Sequence, residues 1–432
     1  MKYPILENVP QSKEMTTYFN GYSHLLSCQD GAFYDMKNMS TEQFPILSVR
    51  NRRGKAKTFT NLQGIVDKEG IVYVDDGVLY VGGSSVSGLS LDATTDKTIV
   101  TMGAYIVIMP DKVWYNTEDG SFGNMESRFN FTGSVSFTLC GADGNAITWH
   151  DDSYYDSNKP KNGDYKMSTT NGKTSLQVYS STTGLWASVP TTYMKIAATG
   201  IGAGLEKEDG VKISVDLTSQ SWDYADNIFV NKDENNDNIR NSNFVIYDKG
   251  DDYITVTALL NENKSFGNLP ITVNREVPDM AFITECQNRL WGCSTDGHEI
   301  YCCKLGDLKN WNCFAGISTD SWAATIGTDG KFTGAYSYLG YPIFFKEDSL
   351  IRVSISSVGA HQTKDLKCRG VQSGSEKSLV MLNELLYYKS GDGICVYDGN
   401  FPQNISEALG EVRYKNAVGG SINNRYYISM ED

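Results

Sequence analysis

A short β-hairpin motif recurs along this chain of 432 residues, and it restricts the possible folds more than any other feature. Each copy opens with Gly or Asn, continues with three or four strand-forming residues, turns at Asp and adds three more strand formers. Apolar, β-branched and aromatic runs separated by turns rich in Asp and Gly are typical of β-hairpins. The copies begin at Gly70, Gly103, Asn288, Gly340, Asn383 and Asn424.

The spacing of these copies predicts the architecture. Gly70 and Gly103 are 33 residues apart, and the intervals from Asn288 onward are 52, 43 and 41 residues. Propeller blades of four strands take about 40–50 residues each, and they stack because one small twisted sheet leaves both of its faces uncovered. We therefore predict an all-β chain with a β-propeller-like repeat of four-stranded blades. A generic array of β-sandwiches, with strands every ~8–12 residues and no longer period, is the alternative.

One interval is too long for a blade. From Gly103 to Asn288 there are 185 residues. Subtracting one blade of about 45 residues leaves roughly 140, which is enough for a domain. The segment is rich in Ser, Thr, Asn, Asp and Gly, and strand-like runs occur at 135–140, 174–179, 212–217, 243–247 and 253–259. We therefore expect a β-rich domain inserted in a blade loop, where insertions are best tolerated.

The chain is thus predicted to contain four regions. Residues 1–60 form an extended N-terminal segment with a basic loop, 61–127 the first blades, 128–275 the inserted domain and 276–432 the later blades. The sixth copy reaches residue 432 where its hairpin should turn back, so the last blade is incomplete. We expect the chain to be truncated there; a partner strand from the N-terminal segment or a neighbouring subunit is the alternative.

Composition and charge restrict the secondary structure, the partners and the cellular environment that the chain can have. The 26 Tyr and 41 Gly favour strands and tight turns. A net charge of −14 disfavours tight sequence-specific nucleic-acid binding, but it does not exclude a protein past which DNA slides. Nine Cys, an odd number with two adjacent, indicate buried free thiols and assembly in a reducing cytoplasm. The longest apolar run, 104–110, is far shorter than the ~20 residues that span a bilayer, and we expect neither an export signal nor a membrane anchor.

The sequence indicates no catalytic, cofactor-binding or metal-ligating residue. No two Cys have C-x-x-C spacing, and the four His are widely separated: His24, His150, His298 and His361. The stretch from Asp233 to Asn238 resembles the start of a calcium loop, but its twelfth position is Phe244, where Glu is needed, so we interpret it as a polar turn. A glycosidase needs two facing carboxylates. Nothing in the sequence singles out the available candidates, such as Asp151, Asp152, Glu206 and Asp223.

Two surface features remain as candidates for binding. The single basic cluster consists of Arg50, Arg52, Arg53, Lys55 and Lys57, which we interpret as an electrostatic contact loop for DNA or an acidic partner ring; a solvated loop is the alternative. The predicted inserted domain is rich in aromatic residues, which suit sugar stacking and protein interfaces alike. These residues are Trp149, Tyr154, Tyr155, Tyr179, Trp186, Tyr193, Trp222 and Tyr224.

Two stretches of the sequence resemble a known family. The first is DGAFYDMKNM at 30–39, followed by FPIL at 44–47 and RRG at 52–54. The second is NRLWG at 288–292, followed by IY at 300–301 and LGDLKNW at 305–311, although Cys302 and Cys303 replace the small polar residues common in the family. Both resemble the propeller-type tail proteins of short-tailed phages and related prophages, namely tail-hub, nozzle and packaged-DNA stabilisation proteins. Residues 340–353 and 391–399 match later blades, so the resemblance covers roughly 20–125 and 275–432.

The resemblance implies a non-enzymatic structural protein of the virion tail. In the family, propellers assemble as a ring, commonly hexameric, below the portal, where the ring seals packaged DNA and then forms its exit channel. The implied partners are further copies of the chain, the portal or adaptor and other tail proteins, with DNA only as passing cargo and no membrane or cofactor. Two alternatives remain: a receptor-binding or adhesin protein that binds host glycan through the inserted domain, and a propeller glycosidase.

Overall fold

The computed structural model describes residues 15, 17–40, 42–52, 54–55, 57–170, 173–218, 221–222, 227–229, 243–356 and 360–431. Of the described residues, 49% are in strands and 3% in helices. The prediction of an all-β protein is confirmed. The chain divides into two compact units: Met1–Thr60 with Ile343–Ile351 and Asp365–Asp432, and Asn61–Pro342 with Arg352–Lys364.

The described part of residues 17–57, called the arm below, contains only two-residue strands. Strand β1 (Gly21–Tyr22) pairs in parallel with β2 (Ala32–Phe33), and β3 (Met39–Ser40) pairs antiparallel with β4 (Ser48–Val49). Phe19 is buried against the rings of Phe33 and Phe44, at centroid distances of 5.4 and 6.3 Å. Isolated two-stranded sheets are marginally stable, so this small aromatic cluster and contacts outside the arm must hold it.

The next eight strands form two antiparallel sheets in which successive strands are neighbours. The first sheet contains β5 (Leu62–Asp67), β6 (Ile71–Asp75), β7 (Val78–Val81) and β8 (Ser84–Ser85). The second contains β9 (Thr98–Met102), β10 (Tyr105–Met109), β11 (Val113–Asn116) and β12 (Phe122–Asn124).

Residues 127–275 contain a closed barrel and two smaller sheets. The elements are β13 (Ser127–Cys140), β14 (Trp149–Asp151), α1 (Asp152–Ser157), β15 (Tyr165–Thr170), β16 (Lys173–Ser180), β17 (Leu185–Ser188), β18 (Tyr193–Ala197), β19 (Gly210–Val215), β20 (Ile228–Phe229), β21 (Asn243–Lys249), β22 (Tyr253–Thr257), β23 (Leu259–Leu260) and β24 (Lys264–Arg275). The barrel order is β13-β18-β22-β21-β19-β24, while β14–β17 form a four-stranded sheet and β20 pairs with β23. The five predicted strand-like runs all lie within or overlap these strands, and the domain boundaries themselves stay a prediction.

The remaining strands again form sheets of successive neighbours. One sheet contains β25 (Met280–Glu285), β26 (Leu290–Ser294), β27 (Glu299–Cys302) and β28 (Trp322–Thr325). The next contains β29 (Gly334–Tyr338), β30 (Tyr341–Phe345), β31 (Ser349–Ile355) and β32 (His361–Lys367). A third contains β33 (Val380–Leu382), β34 (Leu385–Lys389), β35 (Ile394–Tyr397) and β36 (Gln403–Asn404), and β37 (Lys415–Ile422) pairs with β38 (Arg425–Glu431). Short 3₁₀ turns lie at Glu376–Ser378 and Glu407–Leu409.

The opening residue of every predicted hairpin copy occupies the same structural position. Each lies in the turn between the first and second strands of its sheet, and each has a positive φ, from 50° at Asn383 to 133° at Gly70. Gly and Asn adopt this region at the lowest steric cost, which explains why the motif begins with them. The hairpins predicted after these residues are confirmed, except that the last copy, β38, pairs with the preceding strand β37.

The sheet β9–β12 is covered by another sheet on each face. Ile106 and Ile108 of β10 share a buried cluster with Val72, Val74 and Leu79 of the sheet β5–β8. The alternate residues Val107 and Met109 belong to a second cluster that includes Ile283 and Leu290 of β25–β28. Side chains of a strand point alternately to opposite faces, so β10 fills two cores at once. The sheets β9–β12 and β25–β28 therefore pack together although residues 127–275 separate them in sequence.

Three acidic residues of the barrel segment contact the residues beside this second core. Asp209 forms a buried ion pair with Arg275 at 2.6 Å, and the same guanidinium donates to the carbonyl oxygen of Met125. Glu206 pairs with Lys309 and Glu208 with Lys304. Burial is the main influence on Asp209 and raises its pKa, although Arg275 opposes the shift. The pairs of Glu206 and Glu208 attach the barrel to the 304–309 loop of the sheet β25–β28, whereas the Asp209–Arg275 pair lies within the barrel segment. Within the described residues, no helix is long and apolar enough to cross a membrane.

Candidate functional site

The predicted electrostatic contact loop lies on the surface of the arm. Arg50, Arg52, Lys55 and Lys57 are exposed, and the residues from 50 to 59 form no regular secondary structure where they are described. The backbone N–H of Arg50 donates to Asn38 at 2.8 Å, and Lys57 Nζ lies 5.8 Å from the centroid of the Phe59 ring. Arg53, the fifth predicted residue, lies outside the described residues. The structure therefore presents positive charge on this surface without identifying what it binds.

Eight large apolar residues of the same arm are exposed. Leu26 is fully exposed and Val49 is 75% exposed, whereas Phe19 is buried. Large apolar residues that are exposed in groups mark interaction sites more often than single exposed residues do. The exposed members of the arm are Tyr18, Leu25, Leu26, Tyr34, Phe44, Ile46, Leu47 and Val49.

The charge of the arm region is opposite to that of the remaining chain. Residues 1–60 contain eight Lys or Arg and five Asp or Glu, whereas residues 61–432 contain 30 and 47. The first region thus carries a net charge of +3 and the second −17. Exposed basic and apolar residues in the same segment are suited to an acidic protein partner with apolar side chains of its own.

Most of the side chains that could act as catalytic or metal-binding groups make structural contacts instead. All nine cysteines are free; seven are buried as the sequence predicts, whereas Cys368 is half-buried and Cys28 is exposed. Burial raises the pKa of Cys302 to about 12 and that of Cys313 to about 11, so both thiols are unreactive at neutral pH. In the described part of the chain, no group of three His, Cys, Asp or Glu side chains is arranged to hold a metal ion. The predicted polar turn at 233–238 and Asp223 lie outside the described residues.

A second candidate surface lies on the sheet β14–β17. One face of this sheet packs on the barrel core through Met167 and Leu176. By alternation, Lys166 and Gln177 lie on the opposite face, where they are cross-strand partners. His150 lies beside Lys166, and Ser188 lies beside Gln177. This outer face thus contains a row of four polar side chains across four strands.

Five aromatic or imidazole rings adjoin that polar row. Tyr154 stacks on His150 at 3.8 Å, and the edge of Tyr155 meets Trp186 at 4.9 Å. Tyr179 lies 5.2 Å from Trp186, which is its cross-strand partner. We call His150, Tyr154, Tyr155, Tyr179 and Trp186 the aromatic face.

Ionic contacts fix the centre of the aromatic face. Lys166 Nζ lies 2.6 Å from Asp152 Oδ1 and 4.8 Å from the centroid of the Trp186 ring. Ser168 donates to the second oxygen of Asp152 at 2.8 Å. The bonds from Lys166 and Ser168 lower the pKa of Asp152, so the carboxylate is ionised at neutral pH. Tyr154 remains 42% exposed, and His150 is also exposed.

Only part of the predicted aromatic set comes together here. Tyr154, Tyr155, Tyr179 and Trp186 do, whereas Trp222 is buried 5.2 Å from Phe137 and Tyr193 contacts Tyr247. Trp149 packs against the barrel core, and Tyr224 lies outside the described residues. The sequence gives His150 no partner at metal-ligand spacing, and in β14 it follows Trp149, so its side chain lies on the opposite face of the sheet.

Comparison of the sequence with models of known protein families gives no match, and comparison with curated proteins gives no significant match. The functional conclusions therefore depend on the contacts described above and on the resemblance in the sequence.

Proposed function

We propose that the chain is a structural subunit of a bacteriophage tail, folded as a β-propeller-like repeat and assembled in several copies around the path of the DNA. In this proposal the four-stranded sheets of 61–127 and 276–432 are blades, and residues 128–275 are an insertion. The tail ring below the portal seals packaged DNA and then forms its exit channel. The chain itself performs no catalysis.

The observation that carries this proposal is the covering of the sheet β9–β12 on both faces. In a two-layer sandwich each sheet has one buried face and one solvated face. In a propeller each blade is covered by the blade before it and the blade after it. Ile106 and Ile108 pack towards β5–β8, and Val107 and Met109 pack towards β25–β28, as the second arrangement requires.

The motif that resembles the phage family has structural contacts that support a shared fold. Arg289 is buried and donates to the carbonyl oxygens of Cys303, Asp320 and Ser318 at 2.7–3.1 Å. This guanidinium thereby holds the loop that leads to β28. Trp311 is buried in the core between the sheets, where its indole N–H donates to Leu308 at 2.9 Å.

Two further residues of the motif act in turns and in the contact with the barrel. Gly306 has a φ of 75° and donates its N–H to the carbonyl oxygen of Asn288. Asn310 is buried, donates to the carbonyl oxygen of Glu208 and accepts from the N–H of Gly210. Residues with such contacts are needed for a fold rather than for a reaction, which is consistent with a structural role.

The arm supports assembly in several copies. Its apolar residues are exposed in the single chain, and its net positive charge is opposite to that of residues 61–432. A neighbouring copy provides an acidic surface of the required sign. The same acidic surface disfavours adhesion of DNA phosphates, which suits a channel through which DNA must pass.

Analysis of purified phage particles tests the proposal. We expect mass spectrometry to detect the chain in several copies per particle, and antibodies against it to label the tail beneath the portal. Antibodies against the capsid protein are the control for particle integrity. If particles that contain portal and capsid proteins lack this chain, the proposal is wrong.

A further inference from the structure

We infer that the outer face of the sheet β14–β17 is a binding site for a neutral saccharide chain. The inference does not depend on the proposed tail function, because it concerns only the contacts of residues 149–188. The opposite face of this sheet already packs on the barrel core through Met167 and Leu176. The helix α1 covers part of the outer face, where its Asp152 bonds Lys166 and Ser168, while Tyr154 and Ser188 remain exposed.

The arrangement of rings is suited to sugars. A pyranose has a flat face of C–H groups that packs against an aromatic ring, as other apolar groups do. The rings of the aromatic face follow one another without a gap, from His150 and Tyr154 through Tyr155 to Trp186 and Tyr179, at centroid distances of 3.8–5.2 Å. His150 and Tyr154 stack face to face, and Tyr154 is still 42% exposed, so a sugar ring can pack at this end of the band.

The polar row supplies the hydrogen bonds that hydroxyl groups require. Gln177 provides an amide donor and acceptor, Ser188 a hydroxyl and His150 an imidazole, all on the face that carries the rings. Such groups fix the orientation of a ligand whose apolar face lies on the rings. A site with aromatic packing beside short polar side chains is therefore chemically matched to a carbohydrate.

The charge of the site selects a neutral ligand. Lys166 and Asp152 neutralise each other at 2.6 Å, and Ser168 occupies the second carboxylate oxygen. The ammonium also lies over Trp186, which holds it in place. A strongly anionic polysaccharide would have to compete with Asp152 for this cation, so neutral hexose or N-acetylhexosamine chains are the expected ligands.

Calorimetric titration of the full chain with neutral oligosaccharides of glucose, galactose, mannose, rhamnose and N-acetylglucosamine tests this inference. We expect at least one to bind the wild type, and Tyr154→Ala and Gln177→Ala to weaken its binding by about tenfold each. Trp186→Ala should abolish measurable binding, and Trp186→Phe should retain part of it. Tyr341→Ala, which removes a ring of similar exposure (40%) outside the site, should leave binding unchanged.

Three results would overturn the inference. They are no binding of any neutral oligosaccharide, binding that Tyr154→Ala and Gln177→Ala leave intact, and binding that Tyr341→Ala weakens as much as Tyr154→Ala does. Far-ultraviolet circular dichroism must show that each variant is folded. If the chain binds glycan but is absent from phage particles, only the tail proposal is wrong. If it is a tail protein that binds no glycan, only this inference is wrong.

Discussion

The sheet β9–β12 and the arm contain similar apolar residues with opposite burial. In the sheet, Ile106, Val107 and Ile108 have no exposed surface. In the arm, Leu26 and Val49 are largely exposed, and the strands are only two residues long. The sheet has a neighbouring sheet on each face, whereas the arm has two-stranded pairs around one buried ring. Burial thus follows from the number of covering elements rather than from composition.

The reactivity of the thiols should show this difference most strongly. Cys28 of the arm is exposed, whereas Cys302 and Cys303 are buried in the sheet β25–β28, where burial raises the pKa of both thiols. We expect maleimide at neutral pH to label Cys302 and Cys303 more than about a thousandfold more slowly than Cys28, because they react only after opening. Peptide mass spectrometry after timed labelling measures the ratio. Similar rates for the three thiols would show that the sheet is not packed as described.

Core substitutions should have the next largest effect. Ile108→Ala should lower the free energy of unfolding by about 3 kcal/mol, because the removed methyl groups leave a cavity between two sheets. Ile46→Ala in the arm, where Ile46 is 65% exposed, should change it by less than about 0.5 kcal/mol. Denaturant unfolding followed by fluorescence compares the two variants. Equal destabilisation by both would contradict the contrast between sheet and arm.

Charged substitutions in the arm should affect association and not stability. Leu26→Asp combined with Val49→Asp should weaken self-association by at least about tenfold, because a neighbouring copy would bury two carboxylates. Sedimentation velocity over a range of concentrations measures the effect. Leu185→Asp, which changes an exposed apolar residue outside the arm, is the matched control. A wild-type protein that stays monomeric throughout, or a control that dissociates equally, would contradict a role of the arm in assembly.

The smallest expected effect concerns the basic loop. Arg50→Glu with Arg52→Glu should weaken self-association several-fold at low salt and hardly at all at high salt, because exposed charges are screened. Lys159→Glu with Lys161→Glu makes the same charge change at exposed lysines outside the arm and should have a smaller effect. A mobility-shift assay with duplex DNA distinguishes the alternative partner. If the wild type binds the duplex and the Arg variant does not, the loop is a DNA contact.

The turns of this fold could be predicted from the sequence, whereas the closure of the barrel could not. Gly70, Gly103, Asn288, Gly340, Asn383 and Asn424 all mark turns because positive φ is a property of the residue and its immediate neighbours. The barrel was not predicted, since β13 pairs with β24 across more than a hundred residues and no local pattern encodes closure. Register likewise decided which aromatic residues meet: Tyr179 faces Trp186, whereas Trp222 enters the core.

The two candidate surfaces also differ in how far the sequence predicts them. The basic loop was visible as a run of charges and is exposed, but its partner depends on another molecule. The aromatic face could not be predicted in this way, because it depends on the pairing of His150 with Lys166 and of Lys166 with Gln177, and composition does not reveal strand pairing.

An electron cryo-microscopy map of the purified full-length protein tests the central claim most directly. The account predicts that β5–β8, β9–β12, β25–β28, β29–β32 and β33–β36 lie in succession around one axis, each covered on both faces by its neighbours. If these sheets instead pack in face-to-face pairs, with the outer face of each pair in solvent, the propeller and the tail-channel function derived from it are wrong.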